Sequence, residues 1–239
     1  MEQSKYLGIL KEYWGYTQFR GIQWEIIESI CSGKDTLGLM PTGGGKSVTF
    51  QVPALAMDGV CIVITPLIAL MKDQVDHLRK KNIRAYAIYG TMQRNEILTI
   101  LDNAVLGGVT LLYISPERLT SELFLTKLKH MHVSFITVDE AHCISQWGYD
   151  FRPSYLAIAK IRKIKPGIPV LALTATATQA TINDIQEKLA FRKENVFRMS
   201  FERKNIAYIV RQTKDKLAET MKILNAVDGT AIIYTHNRE

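Results

Sequence analysis

The 239-residue sequence predicts an α/β fold, a parallel sheet covered by helices on both faces. Three observations predict it. Short β-rich runs alternate with longer helical stretches, and strand, helix, strand repeated in this way builds a parallel sheet. Most of the runs are apolar throughout rather than alternating, as strands buried on both faces must be. A glycine-rich turn, "PTGGGKS" (41–47), joins a strand to a helix and has the form of a phosphate cradle.

The strands are predicted at "TLGLM" (36–40), "VCIVIT" (60–65), "RAYAIY" (84–89), "VTLLYI" (109–114), "SFITVD" (134–139), "PVLALT" (169–174) and "NVFRM" (195–199). Helices are predicted at 20–31, 46–56, 67–81, 93–106, 117–129 and 178–190. Ligands of such sheets bind beyond the carboxyl ends of the strands, so the chemistry is sought just after each run.

After the first strand, Gly43, Gly44 and Gly45 let the backbone curl and turn its N–H groups inward. Lys46 is placed to reach β- and γ-phosphates and Ser47 to ligate Mg²⁺, with Thr42 in the same cradle. The full phosphate-loop pattern has a glycine where Met40 stands, so this is a variant. After the fifth strand come Asp139 and Glu140. A strand-end Asp can hold Mg²⁺, and an adjacent Glu can orient and deprotonate a water. Acidic pairs also serve as ordinary helix caps; the cradle in the same chain is what gives this pair weight.

Behind the acids, "CISQWGYDFRPSY" (143–155) carries Trp147, Tyr149, Phe151 and Tyr155 among Gly148, Arg152 and Pro153. Pro and Gly forbid a regular helix or central strand there. Tyr155 and Phe151 read equally as core residues, and Trp147 as an exposed stacking platform with Arg152 beside it for phosphate.

Composition bounds the rest. Forty-seven per cent hydrophobic residues suit one full α/β domain or slightly more. A net charge of +7 favours a polyanionic partner, with local clusters "RKKNIR" (79–84), "KIRKIK" (160–165) and "RKENVFRMSFERK" (192–204). No apolar run reaches the ~18 residues of a membrane span, and "MEQSKYLGIL" is not a signal peptide. Cys31, Cys61 and Cys143 are far apart with no CxxC pair, which indicates neither a disulfide framework nor a zinc motif and fits a reducing, cytoplasmic setting.

In order, "YWGYTQFRGIQ" (13–23), "MPTGGGKS" (40–47), "TPLIALMKDQV" (65–75), "YISPERL" (113–119), "DEAH" (139–142) followed by "CISQWGYDFRP" (143–153), and "ALTATAT" (172–178) closely resemble the RecQ family of DNA helicases. The resemblance spans essentially the whole chain and is most specific at "SQWGYDFRP" (145–153). It implies a RecA-like P-loop NTPase domain in an ATP-dependent motor that moves 3′ to 5′ on single-stranded DNA, opens duplex DNA and acts in recombination and repair. Carried over by position, Tyr16 stacks on adenine while Arg20 and Gln23 meet its edge, the three sharing one face at helical spacing. Thr65 caps the next helix, and the loops at 65–75, "GTM" (90–92) and "SPERL" (115–119) hold phosphate. Thr174 and Thr176 couple nucleotide state to DNA with His142 as partner, and Thr178 caps a helix.

The resemblance divides the chain into a first RecA-like domain, 1–204, and the linker and start of a second, 205–239, whose later motifs and arginine finger lie beyond the last residue. A monomer is expected. An RNA helicase of the DEAD/DEAH type, a nucleotide-dependent binding module without catalysis and a small-molecule P-loop kinase are the alternatives. Preference for DNA over RNA separates the first, Glu140 speaks against the second, and the loop aromatics and basic clusters against the third.

Overall fold

The structure, a computed structural model, describes residues 2–148, 150–200 and 206–235. Seven strands form one parallel sheet: β1 (Thr36–Leu39), β2 (Val60–Ile64), β3 (Ala85–Ile88), β4 (Leu111–Ile114), β5 (Val133–Val138), β6 (Val170–Thr174) and β7 (Val196–Arg198). Their order across the sheet is β3-β4-β2-β5-β6-β1-β7, and every pairing is parallel. β6 lies between β1 and β5, so the loops after these three strands, far apart in sequence, share one edge.

Alternate residues of each strand feed opposite cores. Ile62, Ile64, Leu112, Ile114, Ile136 and Val138 pack with α5 (Arg94–Val105), α6 (Glu122–His130), α7 (Ile158–Ile164) and α8 (Gln179–Lys188). Cys61, Val63, Leu111, Tyr113 and Phe135 pack with α2 (Gln23–Cys31), α3 (Val48–Ala56) and α4 (Ile68–Lys80). Burial on both faces is why these strands carry no polar alternation. An outer layer is added by α1 (Gln3–Trp14), whose Tyr6 and Leu10 close over Ile27, Val48 and Val52.

Several boundaries differ from the sequence expectation for physical reasons. α2 starts at Gln23 rather than residue 20, because Gly21 adopts φ +50° and no helix passes through that conformation. The stretch 117–129 divides into a 3-10 turn, Pro116–Thr120, and α6, broken at the extended Ser121. Thr65 does not cap α4: the helix begins three residues later behind Leu67, and the buried Thr65 hydroxyl has no hydrogen-bond partner among the described residues.

The chain divides into two compact units, Met1–Phe201 and Glu202–Glu239. In the second, α9 (Lys216–Ala226) is the regular element among the described residues, capped by Asp215, whose carboxylate accepts the Ala218 N–H at 2.9 Å. The segments "IAYIV" (206–210) and "TAIIYT" (230–235), which resemble strands, form none, since a strand needs a partner to complete its ladder. Residues 202–205 and 236–239, which flank those two segments, lie outside the described residues.

Candidate nucleotide and nucleic-acid site

The carboxyl edge of β1, β5 and β6 gathers the residues that the sequence singles out. Met40, where a glycine was expected, is a core residue with its N–H on the Thr174 carbonyl at 3.1 Å; this ties the start of the cradle to the end of β6. Gly43 and Gly45 take φ +77° and +78°, and α3 begins at Val48. At Gly45 a Cβ would fall 2.3 Å from Gln23 Nε2, so any other residue would displace the Gln23 amide in addition to straining the positive φ.

Gln23 stands beneath the loop. Its amide nitrogen donates to the Gly45 carbonyl at 3.1 Å and the Gly44 carbonyl at 3.4 Å, while its oxygen accepts the Arg20 N–H at 2.9 Å. Tyr16 and Arg20 lie before the helix rather than on one helical face with Gln23, a correction to the expected arrangement that follows from Gly21. They meet through space instead, with the Arg20 guanidinium 5.2 Å from the Tyr16 ring centre.

From the opposite side come the acids. Glu140 has φ +47° and ψ +46°, a left-handed conformation uncommon outside glycine, and the turn aims its carboxylate at the cradle. Lys46 Nζ lies 3.6 Å from Glu140 Oε1. Oε2 of the same carboxylate lies 3.4 Å from His142 Nδ1, which is also 2.9 Å from Thr174 Oγ1. Thr174 in turn donates its hydroxyl proton to the Thr176 carbonyl at 3.2 Å. That proton being spent, Thr174 Oγ1 accepts from His142, as the Glu140 carboxylate must, so Nδ1 carries the hydrogen.

Charge follows from burial. The Asp139 carboxyl is pushed up to about 6 by burial first and by the neighbouring Glu140 second, against the pull of Lys46 and the Glu140 N–H, which donates to Asp139 Oδ1 at 3.0 Å. His142 is held below its ordinary value, chiefly by burial and against the attraction of Glu140 and Asp150. The imidazole is therefore uncharged near neutral pH.

The aromatic segment divides as its chemistry suggests. Trp147 is 74% exposed, whereas Tyr155 is fully buried and donates its hydroxyl to the Asp139 carbonyl at 3.0 Å. Phe151 is half-buried, with Lys188 Nζ 5.8 Å from its ring centre. Tyr149 lies outside the described residues. Gly148 passes so close to the His142 carbonyl that a Cβ would stand 2.6 Å from it. A cavity of about 420 Å³ opens between Trp147, His142, Thr176 and Thr178. Thr178 caps α8, as expected, by accepting the Thr181 N–H at 3.2 Å. Arg152 is engaged with Asp150 at 2.9 and 3.1 Å and reaches the Pro66 carbonyl at 3.5 Å, which joins this loop to the one after β2.

Beside two of the loops expected to hold phosphate, and in the basic clusters, several charged side chains are engaged within the protein. Glu96 reaches back to accept the Gln93 N–H at 3.2 Å at the start of α5, just after "GTM" (90–92). Arg118 gives its guanidinium to the Tyr89 and Gly90 carbonyls at 3.2 and 2.7 Å. Arg162 and Arg192 hold the buried Asp35 at 3.0 and 3.1 Å, and Arg84 holds the Gly107 carbonyl at 3.1 Å. Asp35 and Arg84 immediately precede β1 and β3, so these charges brace the amino edge of the sheet, away from the cradle.

Residues 20–185 match the family model of the DEAD/DEAH box helicases. The chain belongs to this family. Among relatives, the ATP-dependent DNA helicase RecQ of Haemophilus influenzae is 38% identical over 239 residues, all of this chain and 39% of that protein. The RecQ helicase of Bacillus subtilis is 42% identical over 235 residues, 97% of this chain and 40% of that protein. The helicase chain thus spans about two fifths of the length of these curated relatives. The fold of the DUF1998 helicase MrfA matches with a TM-score of 0.65 at 15% identity, over 82% of this chain and 32% of that one. The resemblance to RecQ helicases and the parallel α/β architecture expected for a helicase domain both stand. No helix among the described residues is long and apolar enough to cross a membrane.

Proposed function

We propose that this chain is the ATP-hydrolysing half-site of a RecQ-type DNA helicase and that DNA on the Trp147 loop licenses the chemistry. The observation that carries the reading is the unbroken contact chain from Lys46 through Glu140, His142 and Thr174 to Thr176, at 3.6, 3.4, 2.9 and 3.2 Å. Trp147 and Thr176 line the same cavity, so the chain ends beside the loop that carries the exposed indole.

In this reading Lys46 leaves Glu140 for the phosphates of ATP, which attract an ammonium more strongly than one carboxylate does. Glu140, relieved of that pairing, accepts a proton from the attacking water, and the His142 Nδ1–H holds its other oxygen in place. Tyr16 and Arg20 receive the adenine. Gln23 reaches the base edge by exchanging its bonds to Gly44 and Gly45, which would report an occupied base pocket to the cradle. Asp139 and Ser47 are the residues that would hold a magnesium ion: the Asp139 carboxyl, raised by burial first and by Glu140 second, has an affinity for a cation that Lys46 alone does not meet. Magnesium, when bound, supplies neutralisation of phosphate charge. Exposed Trp147 offers a face on which any base stacks, worth ~1–3 kcal/mol. Residues 205–239 open the second motor domain, and the protein works on single-stranded and duplex DNA, as a monomer, in recombination and repair.

The test is ATP hydrolysis by the full-length protein with single-stranded DNA, RNA of equal length, or neither. Stimulation by DNA well above that by RNA supports the reading. Equal or greater stimulation by RNA would place the protein with the RNA-directed members of its family.

A further inference from the structure

Behind the acid pair, three side chains that the ATP chemistry leaves unassigned or uses differently converge. We propose that His142 Nε2, Cys143 Sγ and a carboxylate oxygen of Asp150 form a three-ligand site for a soft divalent cation of the zinc class. None of the three belongs to the pair, Ser47 and Asp139, assigned to magnesium.

Two of the three ligand separations are close to those of a formed site. The ligand atoms all lie within 4.8 Å of one another. Cys143 Sγ stands 3.8 Å from His142 Nε2 and 3.7 Å from Asp150 Oδ2. With metal–sulfur bonds of about 2.3 Å and metal–nitrogen or –oxygen bonds of about 2.0 Å, tetrahedral ligands stand about 3.5 Å apart, so the two sulfur-centred separations need only tenths of an ångström, and the His142–Asp150 pair, within 4.8 Å, closes by a turn of the partly exposed Asp150 side chain. Thiolate with imidazole and carboxylate selects zinc-like ions over magnesium, which prefers oxygen alone. Three protein ligands leave the fourth position to water.

The imidazole is set for this role. Thr174 and Glu140 fix the hydrogen on Nδ1, at 2.9 and 3.4 Å, so Nε2 is the nitrogen that carries the lone pair, and it faces the sulfur. Metal-bound histidines characteristically have such an outer partner on the second nitrogen. Opposing occupancy, Arg152 holds Asp150 Oδ2 at 2.9 Å, so a cation must share or displace that pairing. As the sulfur–metal bond forms, the Cys143 thiol gives its proton to solvent.

The placement gives the site a consequence. His142 and Cys143 open the segment that contains Trp147, and Asp150 closes it. A bound cation ties the two ends together beside Glu140 and holds the Trp147 loop in one arrangement.

The experiment titrates the untagged chain with cobalt(II) and follows its absorption. We expect one equivalent to produce a thiolate-to-cobalt charge-transfer band with the intense d–d bands of a tetrahedral ion, both removed by zinc. Cys143→Ser abolishes the charge-transfer band and Cys31→Ser leaves it. Thr174→Val, which removes the nearer of the two outer partners, weakens affinity by about 10–100-fold. Asp150→Asn sits outside the core and weakens binding at least as much. If Cys143→Ser fails to fold, Asp150→Asn decides. Absence of the charge-transfer band in the native chain, its survival in folded Cys143→Ser, or unchanged affinity in Asp150→Asn overturns the proposal.

Discussion

Tyr155 donates its hydroxyl to the main-chain carbonyl of Asp139 at 3.0 Å, across sixteen positions of sequence. A fully buried ring of the aromatic segment therefore supports the backbone of the acid pair from below. Tyr155→Phe keeps the packing and leaves that carbonyl without its partner. We expect a loss of about 1 kcal/mol in urea unfolding, against about 3–5 kcal/mol for Tyr155→Ala, which also empties the ring's volume. Equal losses in the two variants would deny the ring its packing role.

Glu140→Gln preserves size and hydrogen bonding but removes the base. ATP binding, followed with a fluorescent analogue, should persist while hydrolysis slows by ~10²-fold or more. Loss of binding with no separate effect on turnover would assign Glu140 to metal or structure instead.

Asp139 carries a cost to the ligand-free fold. Its folded value, pushed up to about 6, exceeds that of an unfolded carboxyl, so the folded state holds the proton more tightly. Stability therefore falls as pH rises from ~3.9 to about 6 and is level above. Asp139→Asn lacks this cost. Without magnesium or nucleotide it should be more stable than the native chain above pH 6 by about 1–3 kcal/mol, the gap closing below pH ~4. A gap independent of pH would contradict the assignment.

Asp35 acts in the opposite sense. Burial raises its carboxyl, but the Arg192 and Val170 N–H groups and the Arg162 and Arg192 guanidinium groups outweigh burial and hold it below the ordinary value. Its contribution is present above ~pH 4 and is lost as pH falls through the lowered folded value. Asp35→Ala should cost about 3–5 kcal/mol at neutral pH and flatten the acid limb of the stability curve. An unchanged acid limb would remove Asp35 from that account.

Much of this was legible in the sequence because it is written in local pattern. Seven apolar runs announced seven strands, and "PTGGGKS" and "DEAH" stood at strand ends where the parallel sheet brings them together. What was not legible depends on contacts between distant residues. The place of Gln23 under Gly45 and the hydroxyl of Tyr155 on Asp139 have no sequence spacing to betray them. The same is true of the trio His142, Cys143 and Asp150, since metal spacing rules look for paired cysteines or histidines. Composition misled in one respect: several arginines of the basic clusters brace Asp35 and backbone carbonyls, although net charge alone assigned them to a polyanion. The outer helix α1 was missed as well, because its buried face is narrow, resting on Tyr6 and Leu10.

In the proposed function, DNA on the Trp147 loop controls hydrolysis at Glu140. The most direct measurement is the ATPase rate of the full-length protein against single-stranded DNA concentration, for the native sequence and Trp147→Ala. With its indole 74% exposed, Trp147 can be removed without emptying the core. The expected result is strong stimulation of the native protein, and a Trp147→Ala variant with near-native ATP binding and basal rate but little stimulation. Normal stimulation of Trp147→Ala would contradict the account.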